Sequence, residues 1–190
     1  MPKSTSLLRL IPLALAAALP LRAELFVSTD AAITFSSSTS LASFDARNDS
    51  VAATLDSATG EVAFAVPMQA FRFEKALMQK HFNQPDYLDT ARHPEARFKG
   101  RITNLAQIDF TRDGRYPTTI TGQLTIRDQT RELTHTGMLV IKKGVPTATA
   151  TFDLDIAAFG LTFTKGKSAG KIARVVAVEI KAPYARAPKS

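Results

Sequence analysis

Alternation with a period of two dominates this chain. Ala96, Phe98, Gly100 and Ile102 fall on one side of a run whose other side is Arg97, Lys99, Arg101 and Thr103, as in a strand with one dry face. Ile120, Gly122, Leu124 and Ile126 alternate in the same way with Thr119, Thr121, Gln123 and Thr125. Ala148, Ala150, Phe152, Leu154 and Ile156 alternate with Thr147, Thr149, Thr151, Asp153 and Asp155. Further strands are predicted from Leu25 through Phe35, over Leu41 to Arg47, Val51 to Leu55, Val62 to Val66 and Leu133 to Ile141, and over Ile172 to Ile180. Ser36 to Ser40 reads as a loop or an edge. Turns are predicted at Asp56 to Gly60, at Lys142-Lys143-Gly144, and as a tight hairpin at Arg112-Asp113-Gly114. Gly166 to Gly170 reads as a flexible basic loop.

One internal stretch departs from this period. From Phe71 to Phe82 the apolar positions recur at helical spacing. Phe71, Met78 and Phe82 share one face, flanked by Phe73, Leu77 and His81. Arg72, Lys75, Gln79 and Lys80 take the other. Asn83 and Pro85 end the helix. An amphipathic helix in a β chain covers something apolar, either a solid core or a cavity.

About eight strands with hairpin-scale connections, and no βαβ rhythm, predict an all-β antiparallel fold. A sheet with one wet and one dry face folds over on itself as a barrel or sandwich. Closure into a barrel removes the exposed edges.

The N-terminus changes the domain picture. Lys3 and Arg9 precede an apolar run from Leu10 to Leu19, and Pro20 to Ala23 resembles a cleavage site. Residues 1–23 are therefore expected to be a cleaved signal peptide, 24–182 the folded domain and 183–190 a flexible tail. The absence of cysteine removes disulfides and an acylated N-terminal cysteine. Together these predict an exported protein of a bacterial periplasm. The Asn48-Asp-Ser50 sequon is then incidental. Losing Lys3, Arg9 and Arg22 with the leader lowers the formal charge from +7 to +4. That excess permits transient contact with a membrane surface. No basic cluster is interleaved with stacking aromatics, so nucleic acid is not an expected partner.

Several segments resemble the YceI-like family of exported, polyisoprenoid-binding, lipocalin-like barrels. They are Phe64-Ala-Val-Pro-Met68, Phe71 to Met78, His81-Phe-Asn83, Tyr87-Leu88 and Pro94 to Gly100, with Gly122 to Ile126 and Phe159-Gly160 further on. The chain departs from the family pattern where Arg127-Asp128-Gln129 follows Ile126, and where Ala157 and Ala158 precede Phe159. The resemblance covers about Glu24 to Ala182. It implies an eight-stranded antiparallel lipocalin-like barrel with one amphipathic helix inserted between strands. It further implies a tunnel for an isoprenoid lipid or quinone, with no cofactor.

The candidate ligand-binding residues are the apolar and aromatic set. Before and within the helix they are Phe64, Met68, Phe71, Phe73, Leu77, Met78 and Phe82. On later strands and loops they are Phe98, Ile102, Leu124, Phe152, Phe159 and Phe163. Ala63, Ala65, Gly100, Gly122, Ala148 and Ala150 are small enough to leave room inside. Each five-carbon isoprene unit is worth roughly 3–4 kcal/mol on burial. Against this stand ordinary core packing for any one residue, and two rival functions. One is a lipid-acting enzyme using Glu74 with His81 or His135. The other is a solid-cored interaction module, such as an accessory to a membrane redox protein. Glu74 alone reads as a first-turn acid on the helix dipole, or as a carboxylate paired with Arg92 or His81. His135 falls on the inward register, which predicts a buried, hydrogen-bonded ring. His81 and His93 lack the convergent partners that zinc requires, and no metal site is expected. No nucleophile motif is present. Lys165, Lys167 and Lys171 read first as a solvated basic loop, with contact to an anionic head group at the mouth as the alternative.

Overall fold

A computed structural model describes residues 24–163 and 169–188. The expected signal peptide, Lys165 and Lys167 lie outside them. In chain order the strands are β1 (Leu25–Ser38), β2 (Ser43–Asp56), β3 (Glu61–Pro67), β4 (Arg72–Phe73), β5 (Glu95–Ile102), β6 (Gly114–Ile126), β7 (Gln129–Lys142), β8 (Val145–Asp155), β9 (Val175–Pro183) and β10 (Ala185–Arg186). The single α-helix among the described residues, α1 (Ala76–Asn83), lies between β4 and β5.

Eight long strands close into an antiparallel barrel, bonded in the order β1-β9-β8-β7-β6-β5-β3-β2, with β2 returning to β1. The two short strands continue the wall where a long one leaves it. β3 pairs with β2 over Ala52 to Leu55, and β4 pairs with it at Ala46 and Arg47. β9 pairs with β1 over Ala32 to Ser36, and β10 pairs with it at Phe26 and Val27. Asn48 is fully buried beside the gap between β3 and β4, where its amide donates to the Pro67 carbonyl at 2.8 Å.

The expected faces are observed. Ala96 and Ile102 are buried while Arg97, Lys99 and Arg101 are exposed. Several boundaries differ from expectation. β1 and β2 are continuous, so the strands read separately over Leu41–Arg47 and Val51–Leu55 are one. The tight hairpin at Arg112 to Gly114 is instead a connection over residues 103–113 with a 3-10 turn at Leu105–Gln107. Asn104 holds it, donating to the Pro117 carbonyl at 2.9 Å and accepting from the Thr119 amide at 2.9 Å. The tail expected to be flexible from 183 is part of the sheet through Arg186. Tyr184 is buried, and burial pushes its phenol well above the ordinary range.

The helix begins five residues later than its periodicity predicts. Phe71 follows a 3-10 turn at Met68–Ala70, and Lys75 is still extended at φ −103° and ψ 120°. Strand pairing with β2 offers Arg72 and Phe73 hydrogen bonds and gives the Phe73 ring a packed site, so tertiary context overrides the helical pattern. The stop falls where expected. The Gln84 amide donates to the His81 carbonyl at 3.0 Å, and Pro85 follows.

The two ends of the barrel are built differently. At one end stand the β2–β3 and β7–β8 turns, the 103–113 connection and both ends of the described chain. Phe26, Leu55, Ile102, Leu139 and Ile141 pack there with almost no exposure. Phe110, brought by the long connection, stacks on Phe26 at 6.0 Å. At the other end stand the β1–β2 hairpin, the β6–β7 turn, α1 and the β8–β9 connection.

Candidate functional site

The barrel is hollow from its middle to the α1 end. The hollow measures about 590 Å³ and is lined almost wholly by carbon. Eleven of the predicted residues line it: Phe64, Met68, Phe71, Phe73, Leu77, Met78, Phe82, Phe98, Leu124, Phe152 and Phe163. Ile102 and Phe159 do not. Ile102 is buried in the solid end at 3% exposure, and Phe159 is sealed at 2% in a 3-10 turn at Ile156–Phe159. The alternation assigns Ile102 to the inner face, but depth along the barrel places it in the packed part.

The mouth is ringed by aromatic side chains. Phe35 on β1 is their centre, with ring centroids 5.3 Å from Phe71, 5.9 Å from Phe73, 6.0 Å from Phe82 and 6.4 Å from Phe44. Sequence reasoning missed Phe35 and Phe44. The signal was the inward row Ile33, Phe35, Ser37, which continues past the predicted end of β1. Ser37 is fully buried and accepts from the Ala173 amide at 2.9 Å, fastening the segment before β9. On the other side of the mouth Tyr87 stacks between His81 at 5.7 Å and Phe163 at 5.2 Å. Arg127, at φ 53° in the β6–β7 turn, donates to the Tyr87 carbonyl at 3.1 Å. One departure from the family pattern thus ties that turn to the segment after α1. Leu77 lines the mouth yet is 63% exposed, and Lys171 also borders it.

The small residues act differently from expectation. Gly100 and Gly122 face each other across β5 and β6, and the Phe98 ring lies over both. A Cβ on Gly122 would stand 2.4 Å from the Gly100 Cα and 2.7 Å from Phe98 Cζ. These glycines give the Phe98 ring its seat rather than leaving room for a ligand. Ala63 and Ala65 lie on the outer face, in register with Lys99 and Arg97. Ala148 and Ala150 do line the hollow.

The polar candidates separate. Glu74 is exposed in a groove of about 390 Å³ outside the barrel, with Asp45, Arg47, Arg72 and Lys75. His81 and His135 line the interior hollow. Glu74 and a histidine therefore do not share a site, and Arg92 approaches Asp89 at 3.8 Å rather than Glu74. Nor is Glu74 a first-turn acid, since the helix starts at Ala76. His93 lies 3.6 Å from Asp128, away from the hollow. Asp155, on the outer face, accepts from Arg174 at 2.8 Å and from the Ala157 amide at 3.0 Å. The guanidinium hydrogen bond holds its carboxyl below the usual range. Among the described residues, no cluster of three or more His, Cys, Asp or Glu stands close enough to hold a metal. No described helix is long and apolar enough to cross a membrane.

The family model of the YceI-like domain matches residues 25–184. The chain belongs to the YceI-like domain family. No curated protein matches it. Among solved structures it is similar to a polyisoprenoid binding domain from Saccharophagus degradans, with 14% identity, a TM-score of 0.72, and coverage of 88% of this chain and all of that one. BcnA of Burkholderia cenocepacia is similar at 16% identity and a TM-score of 0.65, covering 82% of this chain and 96% of its own. The Campylobacter jejuni YceI protein gives 12% identity and 0.56, covering 76% and 85%. At these identities the likeness is one of fold. This YceI-like barrel therefore shares its architecture with a domain that binds polyisoprenoids.

Proposed function

We propose that this YceI-like protein is an exported carrier or store for a long apolar isoprenoid lipid, a quinone or prenyl-lipid, held inside the barrel. The observation that carries this reading is the unfilled carbon-lined hollow of about 590 Å³, which runs to a mouth under α1. A solid-cored interaction module would have packed that volume. At about 30 Å³ for a water-sized group, the hollow takes about 20 non-hydrogen atoms, or roughly four isoprene units. Burial at about 0.8 kcal/mol per methylene then gives about 16 kcal/mol, which meets an association cost of about 4–15 kcal/mol without polar contacts. Longer tails emerge past Leu77. Export rests on the leader-like N-terminus, and the solved polyisoprenoid binding domain of the same fold supports the ligand class.

The test is a titration of delipidated protein with geranylgeraniol and a long-chain quinone, followed by native mass spectrometry. One-to-one saturable binding is expected. Ala150→Phe, which projects a ring into the hollow, should abolish it while leaving the fold intact. An unmodified protein that takes up neither probe would end the carrier reading.

A further inference from the structure

His135 does not match the wall it belongs to. It stands at the middle of β7, on the inward row with Leu133 and Gly137. From Gln129, at the mouth end of the strand, it is about 20 Å along the chain. Its ring stacks on Phe152 at 4.0 Å and 19°. Its cross-strand neighbour is Ile120, and the diagonal position on β6 is the buried Thr118, which also lines the hollow. Among the described residues nothing hydrogen-bonds either ring nitrogen. A neutral imidazole offers one donor and one acceptor, and both are left for whatever enters. The other polar liners with titratable groups, His81, Tyr87 and Lys171, belong to the segments that form the mouth. The deep position therefore has no fixed charge to receive an ionised group, which would be costly to desolvate there.

We propose that His135 reads a neutral oxygen, a hydroxyl or carbonyl, at the leading end of an otherwise hydrocarbon ligand whose tail lies toward α1. The proposal rests on the carrier reading and sharpens it. The preferred class is alcohols and quinones, entering oxygen first. Phosphorylated prenyl chains would have to leave a charge where no cation waits. Burial holds the His135 imidazolium below its ordinary range, which keeps the ring in the form that both donates and accepts.

The experiment compares geranylgeraniol with its hydrocarbon counterpart lacking the hydroxyl, on delipidated protein and on His135→Phe. A neutral hydrogen bond in this site is worth about fivefold in affinity, so the unmodified protein should favour the alcohol by about that factor. His135→Phe should bind both probes equally. In the unmodified protein, the His135 ring-nitrogen resonances should move with the alcohol and stay still with the hydrocarbon. That readout stands even if the variant does not fold. Equal affinities in the unmodified protein, a preference that survives His135→Phe, or unmoved nitrogen resonances each overturn the inference alone. Uptake of neither probe overturns the carrier reading and this inference with it.

Discussion

The two halves of the barrel share strands, alternation and residue types, yet one is solid and the other hollow. In the solid half, Phe26 meets Leu55 in register and Phe110 covers it from a loop. Aromatic and aliphatic side chains there interlock across the axis. In the hollow half one cluster of aromatic rings gathers at the mouth, around Phe35, and deeper in the wall Ala148, Ala150 and Gly137 present little bulk beside Phe152. The same inward period therefore yields stability at one end and a receptacle at the other. What differs is where the large side chains sit along the axis.

This contrast can be broken most sharply in the solid half. Phe26→Ala should cost about 3–5 kcal/mol in denaturant unfolding, since the ring is wholly enclosed. If the cost were below about 1 kcal/mol, the packed plug would not be what holds the barrel together. Gly122→Ala comes next, at about 1–3 kcal/mol, because its Cβ meets backbone that cannot yield easily. Urea midpoints read this directly, and a neutral result would mean that Phe98 is not pinned over the glycine pair. Leu124→Ala, in the hollow half, should cost under about 1 kcal/mol because the hollow already lacks partner atoms on one side of it. The same change should weaken prenyl-ligand binding in calorimetry. A stability loss as large as that of Phe26→Ala would erase the distinction between the halves.

The smallest effect expected is on pH. Burial lowers the His135 pKa from its ordinary value near 6.5, so below that pH the unfolded chain binds more protons than the folded one. Stability should therefore rise with pH across the window just below about 6.5 and fall as acid is added. No charged group faces the ring from β6 or β8, whose neighbouring positions are Ile120, Thr118 and Phe152. His135→Phe should flatten this part of a melting-temperature profile. Asp155 works in the same direction at lower pH. Its carboxyl is depressed by Arg174, so its contribution is present above the unfolded value near 3.9 and lost as pH falls below it.

Much of this was legible in the chain because alternation is a local signal. Arg97, Lys99 and Arg101 report the wet face whatever strand lies beside them, and most of the lining residues follow from the same reasoning. What was not legible is long-range. Phe73 reads as helical until β2 is known to pair with it. Phe35 becomes the centre of the mouth only when α1 folds over a strand far away in sequence. Ile102 has the right face and the wrong depth. Gly100 and Gly122 look like empty space until the Phe98 ring is found lying on them. The late strand at Ala185–Arg186 hides in a polar tail because two residues of pairing leave no period to read.

Arg186 has a practical consequence. It donates to the Gly144 carbonyl and to Glu24, while Ala187 bonds Leu25. The first and last described residues are thus clasped together on the sealed pole. A linker, bead or dye joined at Glu24 or Ala187 would hang from the base of the cup and leave its rim facing outward, free to fill.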